Sequence, residues 1–108
     1  TEDMKRKKTD IPKRVEIAAH KVPVKFRDGL IDHAAAFGLF DKNELTIYID
    51  KSLENNSSLA WETFWHEVLE ALNFVTESNM EHRDIQTMGL LLHQVFHSAF
   101  FDKITDSE

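Results

Sequence analysis

The chain has 108 residues, 42% apolar and 30% charged, with 13 Lys/Arg against 19 Asp/Glu and a formal net charge of −6; this suits one globular domain with a single core. It contains no cysteine, which excludes disulfides and thiolate metal sites and leaves imidazole and carboxylate as the ligands open to a metal. No apolar run approaches the roughly 20 residues that span a bilayer, and the charged opening TEDMKRKKTDIPKR does not read as a secretory signal, so a cytoplasmic protein with no membrane partner is expected.

Charge is unevenly spread. Residues 1–14 hold six basic against three acidic side chains, and the remainder seven basic against sixteen acidic. So acidic a body argues against a nucleic-acid-binding face, because neutralising phosphates needs clustered Lys and Arg. Residues 1–13 read as a flexible basic tail, residues 14–103 as a single domain and residues 104–108 as a frayed end.

The first structured stretch, RVEIAAHKVPVKFR (residues 14–27), alternates Val22, Val24 and Phe26 with polar residues, the pattern of a strand with one buried face. Pro23 cannot donate to a ladder, which predicts an edge strand or a bulge, and Asp28-Gly29 supplies a turn. Residues 30–36 fit a helical turn, a loop or an approach to the next strand. A hairpin around residues 41–44 leads into LTIYID, where Leu45, Ile47 and Ile49 share one face. The polar run from residue 53 to 58 offers N-cap residues in Asn55, Asn56, Ser57 and Ser58.

Residues 58–76 then show helical periodicity, with Leu59, Trp61, Phe64, Trp65, Val68, Leu69 and Leu72 forming a broad apolar face. Glu62, His66, Glu70 and Asn73 make a strip beside it, flanked by Glu67. A second helix is expected from about residue 79 or 80 to 101, with Ile85, Met88, Leu92, Val95 and Phe96 as core candidates. The predicted fold class is α+β: a small antiparallel sheet, from an N-terminal strand and a hairpin, packed on two long helices.

His66, Glu67 and Glu70 stand in the order His-Glu-x-x-Glu, one residue away from the His-Glu-x-x-His pattern of zinc peptidases, in which two His one turn apart bind metal and the Glu activates water. His66 and Glu70 share a helix face one turn apart, and zinc accepts both imidazole nitrogen and carboxylate oxygen. Glu67 is suited to act as a base on attacking water. The alternative is a set of solvated charges beside an ordinary histidine. A third ligand must come from the second helix, whose His82, Gln86, Gly89, His93 and His97 fall in one strip. His82 and His93 lie about 16 Å apart along an ideal helix, so only one can join the site, and connection length allows either. Gly89 in that strip permits close approach of another helix.

The succession GLFDKNELTIYID, ETFWHEVLEALN and EHRDIQTMGLLLHQVF, over about residues 36–97, resembles small phage and prophage proteins related to the ImmA/IrrE-type zinc metallopeptidases. That resemblance implies a minimal zincin-like fold, a zinc ion held by His66, Glu70 and His82, Glu67 as general base, peptide-bond hydrolysis on a peptide or protein substrate, and a host-cell cytoplasmic setting. Glu70 departs from the second His of the pattern; its added negative charge makes the ion a weaker Lewis acid and shifts preference toward Mn²⁺ or Mg²⁺. The departure keeps a second expectation in view, a catalytically inactive peptidase-like fold serving as a phage-encoded protein-interaction module, for which an exposed apolar patch near Phe100-Phe101 is the signature.

Overall fold

A computed structural model describes residues 10–34 and 36–102. Most of the basic tail (residues 1–9), the end of the chain (residues 103–108) and the side chain of Phe101 lie outside the described residues. The elements run β1 (Arg14–Ile17), β2 (His20–Arg27), a short α1 (Leu30–Ala34), β3 (Gly38–Asp41), β4 (Thr46–Asp50), a 3₁₀ turn (Lys51–Asn55), α2 (Ser57–Thr76), α3 (His82–His97) and a π turn (Ser98–Asp102). This is an α+β fold: a four-stranded sheet in the order β1-β2-β4-β3, with α2 on the sheet and α3 against α2.

The sheet is mixed, whereas the sequence predicted an antiparallel one. The β1–β2 and β3–β4 pairs are antiparallel, but β2 and β4 run parallel from Val24–Ile47 to Arg27–Asp50. The connection through α1 sends β3 to the far edge, and β4 then turns back between β3 and β2 in the direction of β2. Residues 14–27 also form two strands rather than one. Ile17 pairs with His20 across Ala18 and Ala19, which have φ of 50° and 72°, the left-handed backbone of a tight hairpin turn. Alanine is a poor signal for that conformation because its Cβ crowds the backbone there.

Pro23 consequently sits in an interior strand, not at the edge. Val24 donates to the Lys13 carbonyl at 2.8 Å, so donors alternate and the N–H missing from Pro23 falls on the β4 side. The parallel ladder begins one residue later, at Val24–Ile47, and no ladder bond is lost. The β3–β4 turn is as expected: Asp41 Oδ1 accepts from the backbone N–H of Asn43 (2.9 Å) and of Glu44 (3.0 Å).

Val22, Val24, Ile47 and Ile49 of the sheet, Leu53 of the 3₁₀ turn, and Ala60, Trp61, Phe64 and Ala71 of α2 form the core. Asn56 caps α2 through its side-chain oxygen, and Glu77 ends it in the left-handed region, as helix termini require. Trp61 and Trp65 hold Phe96 at ring distances of 5.0 and 5.5 Å, anchoring the far end of α3 to α2.

Asp50, at the end of β4, ties three elements together. One carboxylate oxygen accepts from Leu30 N (2.9 Å) and Ile31 N (3.3 Å) of α1, and the other from Ser52 N (3.0 Å) and Ser52 Oγ (2.6 Å). The Ser52 hydroxyl, opposed by burial and aided by these backbone donors, holds the Asp50 carboxyl below its ordinary range. The unfolded chain therefore binds this proton more tightly than the folded one, and stability rises with pH across the interval. The stabilisation is complete above the ordinary Asp value of about 4 and is lost as pH falls through the depressed one. Asp50→Ala is expected to cost about 2–3 kcal/mol in urea unfolding at pH 7 and to flatten the acid limb of the stability profile.

Candidate metal centre

His66 and Glu70 lie on the face of α2 turned toward α3, with His66 Nε2 3.4 Å from Glu70 Oε2. His82 opens α3, and its Nδ1 stands 3.3 Å from the same Glu70 oxygen. The His66 and His82 rings are 5.3 Å apart at 69°, and one ligand atom from each of the three residues lies within 4.8 Å of the others. Among the described residues this is the one such group of His, Asp and Glu.

Two local features bring His82 to Glu70. Asn73, the last member of the α2 strip, clamps the interhelical connection: its Oδ1 accepts from Met80 N at 2.8 Å and its Nδ2 donates to Met80 O at 3.4 Å. Gly89 then lets α3 lie directly on the α2 backbone, where a Cβ at that position would be 3.2 Å from His66 Cα and 3.3 Å from His66 N. The antiparallel register of the helices is thereby fixed beside His66.

Glu67 is buried, at 7% exposure, behind the triad and against β3. At Gly38 the β3 backbone comes so close that a Cβ would meet Thr63 Cγ2 at 2.5 Å and Glu67 Oε2 at 3.0 Å. Burial, with the Glu70 charge second, pushes the Glu67 carboxyl up to about 8. Burial pulls His66 below its usual value, and the nearby His82 acts in the same direction while Glu70 opposes it; the neutral imidazole so favoured is the form that ligates metal. Gly38→Ala is expected to cost about 1–3 kcal/mol through displacement of Thr63 and Glu67, read as a lower urea midpoint; an unchanged midpoint would show that the β3–α2 contact relaxes freely.

His66, Glu67, Glu70 and His82 all face one cleft of about 740 Å³, whose apolar wall includes Phe37, Phe40, Phe74 and Leu90 and whose rim carries Lys42. His93, the other candidate third ligand, is not in this group. It is buried further along α3, with its ring 5.3 Å from that of His97. Spacing alone pointed to His66, Glu67 and Glu70 and left His82 and His93 open, the resemblance favouring His82; the roles of Asn73 and Gly38 were not readable. Asn73 belonged to the polar strip, and only the path of the connection reveals what it holds.

The donor set fits a metal. Ligand atoms about 2.1 Å from a tetrahedral ion stand roughly 3.4 Å apart, and His66 Nε2 and His82 Nδ1 stand 3.4 and 3.3 Å from Glu70 Oε2. The His82–Glu70 contact also serves as a hydrogen bond between the helices. Two imidazoles and one carboxylate also make up a catalytic zinc set, which leaves a fourth position open; His82, with a side chain 70% exposed, is on the solvent side. No helix among the described residues is long and apolar enough to cross a membrane. No family model, curated protein or solved structure matches this chain.

Proposed function

We propose that this chain is a zincin-like metallohydrolase that holds one divalent ion, zinc in the first instance, between α2 and α3 through His66, Glu70 and His82, and hydrolyses an amide bond of a peptide or protein substrate. The observation that carries the reading is the convergence of two imidazoles and a carboxylate at one cleft beside a buried, otherwise unexplained Glu67. The phage-type peptidase resemblance of residues 36–97, and with it a cytoplasmic setting, belongs to the same proposal.

When bound, the ion would supply Lewis-acid polarisation of a substrate carbonyl and of water. The protein's own part is positional and electrostatic. Glu67 takes the proton of the attacking water and returns it to the leaving amine. A cation at Glu70 cancels the charge that helps keep Glu67 protonated, moving it toward the carboxylate form a base requires. Phe37, Phe40 and Phe74 line the cleft beside Glu67, where they exclude water and receive apolar substrate side chains. The test is hydrolysis of a quenched-fluorescent peptide library by zinc-loaded wild type; absence of cleavage, with zinc bound, would remove the enzymatic half of the proposal.

One observation favours a second reading, that of an inactive peptidase-like fold acting as an interaction module. Met88, Leu91, Leu92 and Val95 form an exposed apolar stripe on α3, joined by exposed Phe100 beyond it, and such patches mark binding surfaces. Under that reading Val95→Glu abolishes a partner complex that Glu67→Gln leaves intact in a pull-down; the reverse pattern contradicts it.

A further inference from the structure

His93 presents a second feature on the seam between the helices. The residue is 9% exposed, yet its buried Nδ1 has no hydrogen-bond partner, a costly arrangement in which a buried polar atom calls for a water or an ion. His97 lies one turn further along α3, and the two rings are 5.3 Å apart at 67°, close to the 5.3 Å and 69° of His66 and His82. The i, i+4 pair of imidazoles that chelates zinc on a helix face is thus absent at His66 and Glu70 but present at His93 and His97.

The helix register supplies an anion. Gly89 rests on His66; in an antiparallel pair, one turn back on α2 from His66 is Glu62 and one turn on along α3 from Gly89 is His93. Burial, with the His97 charge second, pulls the His93 imidazole below its usual value, and the Glu62 charge opposes them.

We propose that Glu62, His93 and His97 form a second divalent-cation site of the zinc class, one helical turn along the same seam from the triad. Its ligand set again combines two imidazoles with one carboxylate. Only the triad has three ligand atoms already within 4.8 Å of one another among the described residues, so the second site closes by rotation of the Glu62 side chain onto the two rings. That step makes it the weaker of the two.

Calorimetric titration of the full chain with Zn²⁺ tests this site separately from the triad. Wild type is expected to take up two equivalents, the second at least tenfold weaker. His97→Ala and Glu62→Gln, both at half-buried positions, should each lose the second equivalent and keep the first, whereas His66→Ala should lose the first and keep the second. A single equivalent in wild type that persists in both His97→Ala and Glu62→Gln, or a second equivalent that persists in both, would overturn the proposal. A chain that binds zinc only in a His97-dependent way would instead uphold it and remove the proposed function.

Discussion

Glu67→Gln is expected to lower the turnover of cleaved peptides by about 10²–10⁴-fold while zinc content and fold are retained. The substitution keeps the shape of a side chain that is buried against β3 and removes its capacity to accept a proton. It also removes a carboxyl that burial and Glu70 hold up to about 8, so the folded protein should not lose stability at neutral pH. Turnover and zinc content measured on one preparation separate the outcomes. Equal turnover in the variant means that Glu67 is not the base; loss of zinc means that it serves the metal site instead.

The second large effect is on stability. A ligand that binds only the folded state stabilises it by about 2.7 kcal/mol at one hundred times its dissociation constant, and a domain of this size gains about 4–8 °C in Tm per kcal/mol. Saturating zinc should therefore raise the Tm by on the order of 10–20 °C. The gain should fall sharply in His66→Ala and in Glu70→Ala, because α3 packs on α2 rather than on the sheet and an ion held by the triad would cross-link the two helices. A similar zinc-dependent rise in both variants would assign the metal to other residues.

Helices were more legible than sheet topology. Residues 58–76 were readable as a helix because an apolar 3.6-residue period and an Asn cap are local signals, and α2 occupies Ser57–Thr76. The hairpin near Asp41 was readable for the same reason. The split of residues 14–27 at Ala18-Ala19 was not, since no Gly or Asn marks the left-handed turn. Nor was the β2–β4 parallel pairing, which joins segments about 23 residues apart and is set by where α1 and β3 send the chain. At the candidate site, His66, Glu67 and Glu70 follow from spacing on one helix. The choice between His82 and His93 depends on interhelical register, which Asn73 and Gly89 set through contacts that no periodicity encodes.

Glu70 was the residue on which the motif departed from the two-His peptidase pattern. With His82 beside it, the group recovers two imidazoles and a carboxylate, the composition of a catalytic zinc set, with the carboxylate on the first helix and the second imidazole on the next. The most direct measurement is a crystal structure of the zinc-loaded protein with anomalous diffraction at the zinc edge. An ion is expected about 2.0–2.2 Å from one atom each of His66, Glu70 and His82, open to the cleft on its fourth side; an ion held elsewhere, or none between α2 and α3 at saturating zinc, would contradict the proposed centre.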